Sequence, residues 1–192
     1  QFEYLGAALN LLDTPGHADF SEDTYRVLAA VDSAVMLIDH AKGVESRTLK
    51  LFEVCRLREL PTVTFMNKLD RFGLDPLELL DDVTNTLGLK VVPMNWPIGM
   101  GNEFRGVVDL QTKEALLFEG ERHGAIAVKS QRIPWKDCVD IVGEELHEQV
   151  TEEMELVEMA GDEYTDEEFL DGKLSPVFWG SAMNNFGVEP LL

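Results

Sequence analysis

Three short runs of this sequence carry side chains suited to holding a nucleotide. In Leu11-Leu12-Asp13-Thr14-Pro15-Gly16-His17 a glycine follows a carboxylate by three residues and a histidine comes next. A carboxylate there can hold a Mg²⁺ through water beside a triphosphate, and the glycine lets a backbone N–H close on the terminal phosphate. His17 is the candidate for orienting an attacking water, because phosphoryl transfer needs positioning and charge stabilisation above all. The second run is Asn67-Lys68-Leu69-Asp70. Asp70 can accept the paired N1–H and N2–H₂ donors of a guanine, Asn67 can bond the N7 edge and tie loops together, and the Lys68 stem can cover the ring face. Adenine lacks that donor pair, so a buried carboxylate left unpaired would discriminate against it. Alone, the run reads first as an N-cap and a solvated turn. The third run is Ser181-Ala182, small residues whose backbone N–H groups could reach guanine O6. By itself it carries little; in order with the other two it completes a guanine pocket.

The elements that must position these runs follow from apolar periodicity. Ala8–Leu12, Ala34–Ile38 and Thr62–Met66 read as buried strands, each ending at a polar residue, Asp13, Asp39 and Asn67. Phe20–Val31 and Glu45–Leu60 read as helices between them, and a third helix is expected at Pro76–Leu87, with Asp75 as N-cap and Gly88 at its end. A strand is expected at Lys90–Pro97. Alternating strand and helix imply an α/β fold with a mostly parallel sheet flanked by helices, whose ligands bind beyond the carboxyl ends of the strands. Asp13 and Asn67 fall there.

After Gly99 the pattern changes. Gly106–Leu110, Glu114–Phe118 and Ala125–Val128 are short strand-like pieces, and a long helix is expected from Asp137 to Met159, with Val142, Leu146, Val150 and Met154 as its apolar stripe. Pro176–Trp179 returns to the α/β pattern. The expected organisation is a core over 1–99, an inserted α+β subdomain over 100–175, and a return to the core over 176–192. Trp96, Trp135 and Trp179 lie in or beside apolar runs and read as core, whereas His40, His123 and His147 read as solvated side chains. Arg47, Arg56, Arg58, Lys68 and Arg71 read equally as a basic rim to the nucleotide face or as scattered solubilising charge.

The chain of 192 residues has a net charge of −20. Asp137–Gly172 alone holds 15 acidic residues and no Lys or Arg, which leaves 21 acids against 16 bases elsewhere. The acidity is thus concentrated in one segment and does not exclude an RNA-containing partner for the rest. No apolar run approaches the ~20 residues of a membrane span. The two cysteines, Cys55 and Cys138, have no metal-ligand spacing, and the start lacks the regions of a signal peptide. A reduced, cytoplasmic protein without a membrane partner is the expectation.

These motifs together resemble a family. Asp13-Thr14-Pro15-Gly16-His17, Asn67-Lys68-Leu69-Asp70 and Gly180-Ser181-Ala182 are similar to the last three guanine-nucleotide motifs of the translational GTPases. The runs Asp19–Arg26, Phe65–Arg71, Trp96–Gly99 and Asn185–Val188 resemble that family's termination branch more than elongation factor G. The resemblance implies a P-loop GTPase-type fold, GTP/GDP and Mg²⁺ as ligands, and hydrolysis of GTP. It implies Asp13 on the Mg²⁺ side, Gly16 sensing the γ-phosphate, His17 placing the water and ordered by ribosomal RNA, and Asn67, Lys68 and Asp70 reading guanine with Ser181 and Ala182. Thr14, Pro15 and Leu69 complete the binding motifs. It further implies an insertion that faces the ribosomal stalk, and recycling of class I release factors from the ribosome.

No G-x-x-x-x-G-K-[ST] run occurs in the chain; Gly101 and Gly106 have the glycine spacing but are followed by Val107-Val108. The expectation is that the native protein extends upstream of Gln1 and that this chain alone is inactive. The resemblance puts the strand feeding the phosphate loop between Ala8–Leu12 and Ala34–Ile38. The competing readings are elongation factor G or a ribosomal-protection relative and, for this chain by itself, a non-hydrolysing interaction module.

Overall fold

The computed structural model describes residues 1–14, 26–119 and 129–192. Pro15, Gly16, His17 and His123, the first half of the expected helix Phe20–Val31 and the expected strand Ala125–Val128 lie outside the described residues.

The chain opens with a hairpin of β1 (Phe2–Tyr4) and β2 (Ala7–Leu9). Leu5 and Gly6, with φ of 47° and 82°, supply the left-handed pair that a two-residue hairpin turn requires. The expected buried strand Ala8–Leu12 is therefore corrected. Regular pairing stops at Leu9, and Leu11 and Leu12 are 73% and 50% exposed. A strand is buried only where neighbours satisfy its edges and cover its faces, and among the described residues only β1 pairs with β2.

The parallel sheet is built from β3 (Ala34–Asp39), β4 (Thr62–Asn67), β5 (Lys90–Pro93) and β10 (Leu174–Trp179), in the order β3-β4-β10-β5. All three pairings are parallel, and the last strand in sequence sits between β4 and β5. Helix α1 (Ser46–Leu57) ends before the expected Leu60, because Glu59 takes a φ of 53° and the Leu60 N–H turns back to the Cys55 carbonyl. Helix α2 (Pro76–Leu87) has the expected bounds. Asp75 Oδ1 accepts from the N–H groups of Leu77 and Glu78 at 2.9 and 3.2 Å, and Gly88 closes the helix at a φ of 60°. Leu79 and Val83 fill the core from its inner face.

The expected single strand Lys90–Pro97 is two strands in two sheets. Met94 is the hinge: its N–H donates to Val177 at 2.9 Å, completing β5 against β10, while its carbonyl accepts from Leu110 at 3.0 Å. The chain then leaves as β6 (Asn95–Ile98) into an antiparallel sheet with β7 (Gly106–Asp109), β8 (Glu114–Glu119) and β9 (Lys129–Pro134), in sequence order. The buried Asn95 side chain joins the two sheets by accepting the Trp179 N–H at 2.8 Å. Pro97 is tolerated because β6 is an edge strand. Gly106 is required by closeness, since a Cβ there would stand 2.0 Å from the Leu116 carbonyl oxygen.

The expected long helix is interrupted. Gly143, with a φ of 92°, separates α3 (Val139–Val142) from α4 (Glu144–Ala160), and α5 (Asp166–Leu170) follows. Val150 and Met154 are buried and Val142 and Leu146 pack against the core, so the apolar stripe faces inward as its spacing required. One apolar cluster runs from Ile38, Met66 and Leu79 to Trp96, Val107 and Trp135, joining both sheets. Trp96 and Trp179 meet edge to face across it, centroids 5.6 Å apart, a pairing worth about 0.5–1.5 kcal/mol beyond burial. Trp96 Nε1 donates to Glu153 of α4 at 2.7 Å.

Asp75→Ala removes both cap hydrogen bonds and is expected to lower unfolding free energy by about 1 kcal/mol, read from the urea midpoint at unchanged slope.

Candidate functional site: interlocked loops at three strand ends

The candidate base-reading residues gather at the carboxyl ends of three adjacent parallel strands. Asp39 ends β3 opposite Asn67, which ends β4, and Gly180-Ser181 follow directly on Trp179 of β10. Asn67 Oδ1 accepts two backbone donors, the N–H of Lys68 at 2.8 Å and the N–H of Ala182 at 2.9 Å, from 115 residues away. Lys68 takes a φ of 72°, which turns the chain off the strand and leaves the carbonyl of Asn67 to the His40 N–H at 3.1 Å. Leu69 is fully buried. Its N–H donates to the Gly180 carbonyl at 3.2 Å and its carbonyl accepts from Gly101 at 2.8 Å. Ser181 Oγ donates to Asp70 Oδ1 at 2.5 Å, and Asn184 Nδ2 donates to that Oγ at 3.2 Å.

The N–H groups of Ser181 and Ala182 have partners within the protein. The sequence offers the N–H groups of Ser181 and Ala182 as donors to guanine O6, but they donate to the Phe186 carbonyl and to Asn67 Oδ1, both at 2.9 Å. Ser181 is completely buried, so its N–H must find a partner within the protein, and the loop is tied internally. Asp70 keeps its Oδ2 beside Arg71 Nε at 3.9 Å, with its side chain largely covered.

In the sequence Asp39 is only the polar end of a strand. Here it accepts from Lys68 Nζ at 2.6 Å and from the Ala41 N–H at 3.1 Å. Burial pushes its carboxyl up, but the bond and charge of Lys68 together with the Ala41 N–H outweigh this, and its pKa lies below the ordinary carboxylate value. Lys68 is thus held in line across the mouth of the pocket.

His40 calls for a correction. The sequence reads it as solvated, yet it is completely buried. Its Nδ1 lies 3.3 Å from the Asn67 carbonyl, its Nε2 has no partner, and the ring is roofed by Gly73, where a Cβ would stand 2.2 Å from Nε2. Burial pushes its pKa below the usual imidazole value, against the opposing pull of the Asn67 carbonyl, Asp39, the Arg71 carbonyl and Asp70. A lone histidine at a strand end carries no sequence signal for burial; only the packing of the segment Arg71–Leu74 over it decides. His147, expected to be solvated as well, stacks on Trp135 at 4.3 Å and bonds its carbonyl at 3.0 Å.

Asp13 is exposed and Thr14 half-buried after the hairpin. Among the described residues no group of three or more His, Cys, Asp or Glu side chains could hold a metal ion. A lone exposed carboxylate still fits Mg²⁺ held chiefly by phosphate and water, which needs one or two protein carboxylates. Cys55 and Cys138 are free and buried, and burial pushes both thiols up, so they are protonated and unreactive. A groove of about 650 Å³ lies elsewhere, against α2, β5 and the end of α4, lined by Leu77, Leu80, Val91, Leu156 and Tyr164 among others; no residue of the guanine loops lines it.

This arrangement is that of a known family. The model of the elongation factor Tu GTP-binding domain matches residues 1–192, and the chain belongs to that family. Within it, the chain is 52% identical to peptide chain release factor 3 of Symbiobacterium thermophilum over its whole length, and 53% identical to that of Synechococcus elongatus. It spans 37% and 35% of those relatives, a little over a third of their length. A solved structure from Thermus thermophilus matches with a TM-score of 0.71 at 26% identity, covering 98% of this chain and 29% of that one. The expected α/β fold, a parallel sheet flanked by helices with an antiparallel subdomain, is what is found.

The buried ring sets a pH dependence. The unfolded chain protonates His40 at pH ~6.5, whereas the folded ring stays neutral to lower pH. Its contribution is therefore full above the unfolded pKa and is lost as pH falls towards the folded one; Asp39, with its lowered pKa, adds a loss of the same sign at still lower pH. Denaturant midpoints measured from about pH 7.5 to about pH 5.5 are expected to fall, and to fall less in His40→Asn, whose amide can bond the Asn67 carbonyl without titrating.

Proposed function

We propose that this chain is the guanine-recognising portion of a ribosome-dependent GTPase that acts in translation termination, where it promotes release and recycling of class I release factors. The observation that carries the reading is the interlock of Asn67–Asp70 with Ser181–Ala182, brought together across 111 residues, in a chain about half identical to release factor 3 throughout. Such a double tie makes one rigid cradle from two loops, which is what base recognition needs.

In this reading Asp70 accepts N1–H and N2–H₂ of guanine with Ser181 Oγ fixing its rotamer, and Asn67 offers its amide N–H to N7 while its Oδ1 holds the cradle closed. The Lys68 stem, aligned by Asp39, covers the ring, and Leu69 and Ala182 shape the floor and rim. Asp13, Thr14, Pro15 and Gly16 stand by the phosphates, and Asp13 supports a Mg²⁺ through water. That ion supplies charge stabilisation on the phosphates. His17 orients the attacking water, in the setting of ribosomal RNA, and the inserted subdomain meets stalk proteins. The division into a core over 1–99 and 176–192 with an insertion over 100–175, and a cytoplasmic location without a membrane partner, belong to the same proposal. No helix among the described residues is long and apolar enough to cross a membrane.

The test of base recognition is Asp70→Asn. Loss of a carboxylate that accepts two guanine donors is expected to weaken GDP binding by about tenfold to a hundredfold, and to favour xanthosine diphosphate, whose C2 carbonyl can accept from the new amide. Unchanged GDP affinity by calorimetry would remove Asp70 from the pocket. The test of chemistry is ribosome-stimulated GTP hydrolysis with His17→Ala, expected to lose about a hundredfold or more in kcat with little change in GTP affinity. Unaltered turnover would remove His17 from the reaction.

A further inference from the structure

The guanine loops are braced from the inserted antiparallel sheet. Phe118 of β8 stacks flat on Phe186, ring centroids 4.6 Å apart and planes 2° from parallel. Phe104, from the segment joining β6 and β7, closes the cluster at 6.0 Å from Phe118 and 6.1 Å from Phe186. Phe186 is itself bonded to the pocket, for it exchanges both backbone hydrogen bonds with Ser181, each 2.9 Å long.

The turn between them has no slack. A Cβ on Gly180 would stand 2.3 Å from the Phe186 carbonyl oxygen, and one on Gly187 would stand 2.3 Å from that of Trp179. The backbones of Gly180 and Gly187 are thus pressed together, and a shift of the Phe186 ring passes to Ser181 rather than being absorbed. Ser181 in turn holds Asp70 through the 2.5 Å bond from its Oγ. A second brace reaches the other loop, where Gly101, at the start of the connection to β7, donates to the Leu69 carbonyl at 2.8 Å and packs against Phe72.

We propose that Phe118, on the inserted sheet, is a positioning residue for guanine specificity: its stack on Phe186 fixes Ser181, and through Ser181 the rotamer of Asp70. The inference rests on the guanine reading of Asp70 given above. Phe118 touches no ligand in this account and acts only through the aromatic pair. The insertion is thereby part of the base-reading apparatus and not an appendage to it.

A role confined to folding would weaken all ligands alike, whereas this one predicts a change in base preference. The readout is the ratio of GDP to IDP affinity in the complete protein, because IDP lacks the N2 amino group that Asp70 accepts and is otherwise the same ligand. The native protein should prefer GDP. Phe118→Ala should narrow that ratio about threefold to tenfold, while Phe118→Tyr, which keeps the flat ring, should preserve it. If the alanine variant does not fold, Phe118→Leu keeps apolar bulk without a planar face and should narrow the ratio as well. Equal weakening of GDP and IDP, or no change, in a folded variant would overturn the proposal. A native protein with no preference for GDP over IDP would instead sink the guanine reading, and this inference with it.

Discussion

Asn67 Oδ1 is the atom on which the site depends. It sits at the end of a central strand and accepts two backbone N–H groups, one from its own loop and one from a loop that leaves the adjacent strand 115 residues later. A half-buried acceptor that is satisfied twice costs little to cover, whereas losing it would strip two loop donors of the partner that holds them together. The interlock exists only because β10 inserts between β4 and β5, placing the last strand of the chain beside the second strand of the sheet. The interlocked pair of loops is a consequence of strand order.

Around that atom the charges are arranged as a short relay. Asp39 takes the Lys68 ammonium, Ser181 takes Asp70, and His40, neutral and buried, stands behind the Asn67 carbonyl. None of these groups is left to choose a rotamer freely. In the proposed reading of Asp70, refusal of adenine through the penalty of an unpaired carboxylate needs that carboxylate to stay where it is. The unpartnered His40 Nε2 is the unfavourable side of this arrangement, and the inserted sheet adds its support through Phe186. The family membership and the 52% identity to a release factor 3 give this geometry its context.

Local chemistry made much of the fold legible. Helix α2 is read to the residue because Asp75, Pro76 and Gly88 are signals confined to its own ends. The strands Ala34–Asp39 and Thr62–Asn67 are read because both are short apolar runs closed by a polar residue. The readings that failed depend on partners far away in sequence. Leu11 and Leu12 look buried but have no sheet to enter among the described residues, and Lys90–Pro97 looks continuous but divides at Met94 to serve two sheets. The long acidic helix breaks at Gly143, which a periodic stripe does not reveal.

Which residue types could read a guanine, and where they stand along the chain, was already written in the order of amino acids. A carboxylate, an amide and a lysine in Asn67–Asp70 are chemistry before they are structure. The inward stripe of α4 was written there too, because periodicity follows from the helix itself. Folding alone settled that the N–H groups of Ser181 and Ala182 are held by the protein, that His40 is buried, and that Phe118 leans on Phe186. Each of these is a contact between strands or loops whose separation in sequence carries no pattern, and close packing of two sheets in one core is what brings them together.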